Sequence, residues 1–323
     1  MRIGRLAAIL LWVFSASGAF AETYPDHQIR LLVPYPPGGG ADFLARIVGP
    51  ELSTRLGQPV VVENRAGANG AIANEMVVKS APDGYTLLLG TAGSVVISPL
   101  LYGQSKAGFD NLSDFAPISL IASSPFAVAV SPNLPVHSIA EFVALAKSKP
   151  GKLNYGSSGI GGSPQLATEL FKSMAGIDMT HVAYKGLSPA LVDLMGGQID
   201  IVFADVGLVL PFVKSGKLRV LAVTGAQRAS AMPDVPTVAE QGYPAYQANT
   251  WYGLFAPSKV PAAAVATLNE ATNAALKSDL VRERLSGQGL EPAGDAPQAF
   301  AKFMQDESAK WGDIIQKADI HAE

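Results

Sequence analysis

The chain has 323 residues, a formal net charge of -3 and Cys 0. That balance argues against nucleic acid or an anionic membrane surface as a partner, and the lack of cysteine removes disulfides as a source of stability. The length is enough for a large packed core divided between two domains.

Arg2 and Arg5, the apolar stretch from Leu6 to Phe14 and the segment Ala19-Phe20-Ala21 have the order of a secretory signal peptide, with cleavage expected after Ala21. Residues 1–21 are therefore expected to direct export to the periplasm. That stretch is too short to cross a bilayer, and no later segment supplies the roughly 20 apolar residues a membrane helix needs.

Ile29 to Val33, Val60 to Glu63 and Tyr85 to Leu89 read as short strands. Between the first two, Leu44, Ile47, Val48, Leu52 and Leu56 share one helical face over Asp42 to Leu56, and Gly57 ends the helix. Asp42 and Arg46 lie one turn apart on the opposite side and can pair. A second helix is expected over Ala68 to Ser80, and Pro82-Asp83-Gly84 marks the turn into the third strand. Strands separated by helices imply parallel βαβ units.

The join between the first strand and helix is Pro36-Pro37-Gly38-Gly39-Gly40-Ala41-Asp42. The first turn of a helix leaves N–H groups without internal partners, and the helix dipole adds partial positive charge there, so an oxyanion is welcome. Glycine lets the backbone come within hydrogen-bond reach of a ligand. The alternative is a tight turn with no ligand.

The same order then repeats. Phe126 to Val130 reads as a strand, Ser138 to Ser148 as a helix, and Leu153 to Tyr155 as a strand entering a second glycine-rich loop, Gly156 to Pro164. A helix follows with Leu166, Leu170 and Met174 in phase. His181 to Tyr184 and Ile199 to Phe203 read as strands around a helix at Pro189 to Met195. A helical piece at Leu210 to Lys214 leads to a strand at Leu218 to Val223. Arg228 to Asn249 reads as an irregular connection, and Pro261 to Leu285 and Pro297 to Lys317 as helices. In open parallel sheets ligands sit beyond the carboxyl ends of the strands, where both glycine loops lie.

Neither loop ends in the Gly-Lys-Ser/Thr of a phosphate-cradling loop, and neither has dinucleotide-binding spacing. Gly156-Ser157-Ser158-Gly159 falls short of the G-x-S-x-G nucleophile elbow, and the four histidines are scattered. No cluster has metal-ligand spacing. From these motifs no catalytic residue, cofactor or metal is expected. His181, inside a strand, reads as a hydrogen-bonded structural residue.

Five segments carry a resemblance across almost the whole mature chain: Val33 to Asp42, Glu63 to Gly70, Pro82 to Leu88, Tyr155 to Gly159, and Tyr184 to Gly186. Gly196 to Asp200, Gly216 to Arg219, Pro233 to Thr237 and Trp251 to Gly253 add to it. Together and in this order they resemble the Bug, or TctC, family of periplasmic solute-binding proteins that serve tripartite tricarboxylate transporters.

The resemblance implies a two-lobed α/β Venus flytrap, the type II periplasmic-binding-protein fold, each lobe a mostly parallel sheet flanked by helices. Crossings near Ala122 and Gly225 divide it into lobe 1, residues 22–122 plus 226–323, and lobe 2, residues 123–225. The implied ligand is a small carboxylate, held largely by main-chain groups and water from Pro37, Gly38, Gly39, Gly40, Ala41 and Asp42. Ser157, Ser158, Gly159, Ser163 and Asp205 are the implied contacts from the second lobe, and Thr91 and Ser94 are expected to line the cleft. The implied partners are the membrane subunits of the transporter, met by a monomeric receptor.

From the residues alone, Ser157, Ser158 and Ser163 can donate to a carboxylate or only cap a helix, and Asp205 can accept from a ligand or cap. Tyr35 and Phe43 can form an aromatic wall or belong to the core. Lys185 can pair with a carboxylate or be merely solvated. The resemblance leaves the ligand open among dicarboxylates, tricarboxylates, acidic amino acids and aromatic carboxylates. The competing readings are a secreted α/β hydrolase using the Ser157 region and a ligand sensor for a two-component receptor.

Overall fold

A computed structural model describes residues 24–67, 70–103, 108–110 and 113–321. The expected signal peptide, residues 1–21, lies outside the described residues, as does the expected start of the second helix at Ala68. No helix among the described residues is long and apolar enough to cross a membrane.

β1 (Ile29–Val33), α1 (Gly40–Leu56), β2 (Val60–Asn64), α2 (Ala71–Val78) and β3 (Thr86–Thr91) form two crossovers, with β1 parallel to both β2 and β3. A π-helical turn (Ala92–Ile97) and α3 (Ser98–Tyr102) lead to the long strand β4 (Phe115–Val130). The second set is α4 (Ile139–Ser148), β5 (Asn154–Ser157), α5 (Ser163–Ala175), β6 (Thr180–Ala183), α6 (Leu187–Met195), β7 (Ile201–Asp205), α7 (Val206–Lys214) and β8 (Arg219–Val223). β9 (Asn249–Pro257), α8 (Ala262–Leu276), α9 (Asp279–Ser286), β10 (Glu291–Pro292) and α10 (Pro297–Lys317) complete the chain.

The strand order is β2-β1-β3-β9-β4-β7-β5-β6, with β10 and β8 also pairing with β4. β2-β1-β3 and β6-β5-β7 are parallel, as the alternation of strands and helices implies, but the middle of the path is antiparallel. β9 is the reason. It is buried along most of its length, so its sequence shows no alternation, and it returns antiparallel between β3 and β4. The helix expected over Pro261 to Leu285 is two helices, because the Ser278 hydroxyl accepts the Val281 N–H at 3.2 Å and starts α9 afresh.

β4 changes partners between adjacent residues. Pro125 pairs with Asn249 of β9, whereas Phe126 pairs with Asp205 of β7. Proline has no N–H to give, so the ladder to β9 stops where the ladder to β7 begins. Thr224 fastens this crossing: its hydroxyl accepts the Phe126 N–H at 2.7 Å and donates to the Ala248 carbonyl. The fold is thus a two-lobed α/β architecture in which two mixed sheets share one strand. One apolar cluster packs α1, α8 and α9 on the first sheet and another packs α6 and α7 on the second. A third spans both sheets beneath α10.

Candidate ligand-binding cleft

A cleft of about 1120 Å³ opens where the two sheets meet. Its walls are the starts of four helices: Gly38 to Ala41 and Phe43 for α1, Gly162 to Pro164 for α5, Gly186 to Ser188 for α6, and Asp205, Gly207 and Leu208 for α7. None of these helices has a side-chain cap on its N-terminal N–H groups. Four positive dipole ends therefore share one space. Lys185 is the one basic side chain among the described lining residues and Asp205 the one acidic side chain.

The α1 wall is built by its own sequence. Gly38 takes φ 87°, which a side chain would resist, and its N–H donates to Asp42 Oδ2 at 2.9 Å. Arg46 Nε donates to both carboxylate oxygens of Asp42 at 3.0 Å, the pairing its spacing implies. Asp42 is only 4% exposed, and the Arg46 guanidinium holds its carboxyl down at about 2. The first N–H to find a helical acceptor is that of Phe43, donating to the Gly39 carbonyl at 2.9 Å. The donors ahead of it, at Gly39, Gly40, Ala41 and Asp42, precede the ladder.

Tyrosines form the adjoining wall. The Tyr35 hydroxyl and Thr91 Oγ1 share a hydrogen bond of 3.0 Å. Thr91 in turn accepts the Ser94 N–H at 3.2 Å, and the Thr91 N–H donates to Ser94 Oγ at 3.1 Å. Register places Tyr252 opposite Thr91. A Cβ built on Gly40 would lie 2.7 Å from the Tyr252 hydroxyl, so that hydroxyl rests on the start of α1. Burial raises both tyrosines above the ordinary phenol range, and the Asp205 charge raises Tyr252 further.

Asp205 ends β7 and precedes α7, but its side chain makes no capping hydrogen bond. Burial pushes its carboxyl up to about 6. It therefore stands in the cleft as an acceptor when ionised and as a donor when protonated.

Ser157 lies elsewhere. Its side chain is fully buried, and its Oγ lies 2.7 Å from His181 Nε2, a contact that a serine-hydrolase reading would seize on. The surrounding bonds set the opposite polarity. Gly161 N–H donates to Gln165 Oε1 at 2.7 Å, which turns the Gln165 amide nitrogen toward His181 Nδ1 at 3.2 Å. Nδ1 accepts, so the ring proton is on Nε2 and is given to Ser157. A ring that donates to the hydroxyl is not its general base.

Of the residues expected from the sequence, Tyr35, Pro37, Gly38, Gly39, Gly40, Ala41, Phe43, Thr91, Ser158, Ser163 and Asp205 line the cleft, and so does Lys185. Asp42, Ser94, Ser157 and Gly159 are not among its lining residues; the side chains of Asp42, Ser94 and Ser157 accept from the Gly38, Thr91 and Gly159 N–H groups of the loops beside it. Tyr35 and Phe43 line the cleft and also pack on the first core. Sequence reasoning missed Tyr252, Thr250, Ser124, Phe126, Phe212 and Gln288, which also line it. An aromatic hydroxyl inside an apolar strand, as at Tyr252, was the signal available for one of them.

Comparison with known proteins agrees with the architecture. The profile described as "Tripartite tricarboxylate transporter family receptor", TctC, matches residues 44–320. Protein BugT of Bordetella pertussis is 36% identical over 324 residues, covering 98% of each chain. An R. palustris protein solved with adipate is 37% identical, with a TM-score of 0.82 over 92% of this chain and 99% of its own. MatC from Rhodopseudomonas palustris, solved with bound malate, is 32% identical, with a TM-score of 0.77 over 90% of this chain and 100% of its own. The chain belongs to the TctC family of receptors.

Proposed function

We propose that this chain is a periplasmic receptor that captures a small carboxylate by closure of its two lobes and presents it to the membrane subunits of a tripartite tricarboxylate transporter. The observation that carries this reading is the meeting of four uncapped helix starts in one cleft whose single lining cation, among the described residues, is Lys185. Oriented backbone donors supply the field for an anion without a cluster of basic side chains.

In this reading one carboxylate of the ligand lies against the N–H groups of Gly39 to Ala41, beside the hydroxyls of Tyr35, Thr91 and Tyr252. The second lobe, residues 123–225, adds Ser158, Ser163, Lys185 and Asp205. Asp205 faces the far end of the ligand. Ionised, it takes a hydroxyl or ammonium; protonated, it donates to a second carboxylate. The ligand-bound relatives, with adipate and malate, favour dicarboxylates as the first class to try. Binding free energy supplied by the second lobe shifts the open and closed populations, since only differential affinity can do so.

A thermal-shift screen over di- and tricarboxylates, acidic amino acids and aromatic carboxylates tests this. A ligand at 100 times its Kd should stabilise the folded chain by about 2.7 kcal/mol. Calorimetry then gives the stoichiometry, with one molecule bound per chain expected. If no acid in the set raises the melting temperature, the reading fails; release of a product from any of them points to the hydrolase reading instead.

A further inference from the structure

Beneath the second wall of the cleft, hydrogen bonds from three elements close into one chain. Gly161 donates to Gln165 on α5, Gln165 donates to His181 on β6, and His181 donates to Ser157 at the end of β5. Ser157 Oγ also accepts the Gly159 N–H and donates to the Gly159 carbonyl, each at 3.1 Å. A hydroxyl has one proton and two lone pairs, and all three are used. The segment so fastened, residues 158–162, turns at Gly159 (φ 126°) and Gly161 (φ 75°) and supplies Ser158 and Gly162 to the cleft. The chain closes in one protonation state alone, that of the neutral ring.

We propose that His181 is a positioning residue for ligand capture: as the neutral Nε2–H tautomer it holds segment 158–162 in its binding geometry, and protonation of the ring releases that segment and weakens binding in acid.

Protonation puts an N–H on Nδ1, facing the Gln165 NH2, so two donors meet. Rotating the Gln165 amide gives Nδ1 an acceptor but turns the NH2 onto the Gly161 N–H. One bond is lost either way, and a buried donor without a partner is costly. Gln165 is 6% exposed, so water does not readily replace it. The charges acting on the ring are Glu169 and Lys172 of α5, which oppose each other, and the Tyr155 ring of β5 stacks on it at 4.8 Å. Burial outweighs them and holds the imidazole below its ordinary range. The braced form thus carries no proton on His181. Affinity is complete above the ordinary imidazole range and falls as pH drops through the lowered value.

The affinity consequence rests on the cleft reading above; the tautomer and the brace do not, and the test has one arm for each. In the ligand-free protein, long-range 1H–15N NMR of His181 from about pH 7.5 to about pH 4.5 should show Nε2–H at the upper end. The Gly159 and Gly161 amides should lose exchange protection with the same midpoint as the ring. An Nδ1–H tautomer, or glycine amides indifferent to the ring, overturns the proposal.

In the second arm, calorimetry with malate and with adipate follows Kd over the same range. The wild type should lose about tenfold more affinity than His181→Gln, whose amide still donates to Ser157 but does not titrate. Gln165→Glu, which offers the imidazolium an acceptor, should flatten the wild-type profile. Asp205 titrates alike in wild type and variant, so the difference isolates His181. Equal slopes in wild type and His181→Gln overturn the proposal. If neither acid binds while the NMR arm holds, the choice of ligand fails and the brace stands. Thermal unfolding of each variant identifies one that has not folded.

Discussion

The Asp42 carboxylate accepts the Gly38 N–H at 2.9 Å while held by Arg46 at 3.0 Å, so a residue in the first turn of α1 closes the loop in front of its own helix. The acid competes with no ligand for Gly39 to Ala41. It occupies the donor one step earlier, ahead of Gly39 to Ala41, which line the cleft.

Asp42→Ala should therefore cost about 1–2 kcal/mol, the scale of a charge-assisted hydrogen bond. The pH dependence has a definite sign. The Asp42 carboxyl is lowered from 3.8 to about 2 on folding, so its contribution is complete above 3.8 and is lost as pH falls through about 2. Denaturant titrations of wild type and variant at neutral pH and near pH 2 measure the gap. A gap that stays undiminished in acid would show that the loop is held by something other than the ionised carboxylate.

Gly40→Ala should injure the cleft through Tyr252. The new Cβ would stand 2.7 Å from the Tyr252 hydroxyl and 3.7 Å from the ring carbon that bears it, so the oxygen alone is in conflict. Tyr252 is 7% exposed and its ring has little room to swing. An overpacking penalty of about 1–3 kcal/mol is expected, and Tyr252→Phe in the same chain should relieve most of it. Melting temperatures of the two single variants and the double variant form the cycle. Additive losses would mean that the two residues do not meet.

These two sites also show how far the sequence could be read. The Asp42–Arg46 pair follows from i,i+4 spacing, and the glycine run before a periodic helix marks a helix start able to face a ligand-sized opening. Tyr252 was not accessible by the same reasoning. Its strand is buried along most of its length, so it lacks the alternation that announces a half-exposed strand, and its place beside Thr91 depends on pairing across more than 150 residues. The antiparallel return of β9 was missed for the same reason. Ser157 shows a subtler limit: its residue type suits both a ligand contact and a loop brace, and the side chain 24 positions away at His181 decides which bonds it makes.

Asp205→Asn should stabilise the ligand-free protein at neutral pH. An acid raised from 3.8 to about 6 favours the protonated form on folding, so the wild type loses stability as pH rises through that window. The loss reaches up to about 3 kcal/mol above pH 6 by the linkage relation. The asparagine variant has no such titration, so its advantage should be absent below pH 4, grow to pH 6 and then level off. Denaturant midpoints across that range measure it. An advantage independent of pH would show that the Asp205 carboxyl does not titrate as a buried group.

Gly207→Ala should hold the two halves of the molecule apart. Gly207 opens α7 on the second sheet, and a Cβ there would lie 2.1 Å from the Gln288 carbonyl oxygen and 2.8 Å from its carbon, in the turn after α9 on the first. These are backbone atoms, and the next residue in that turn, Gly289, is tied to β4 by the Ser124 hydroxyl, which donates to its carbonyl at 2.9 Å. A side chain's end could rotate away; this turn cannot. The added methyl is accommodated by opening the cleft, at a cost of about 1–3 kcal/mol to the closed form, or about 5- to 150-fold in Kd. Each sheet keeps its own core, so the melting transition should persist. Small-angle scattering should give a larger radius of gyration than wild type, with little compaction on adding malate or adipate. An unchanged scattering profile with unchanged affinity would show that Gly207 and Gln288 do not approach each other in the bound state.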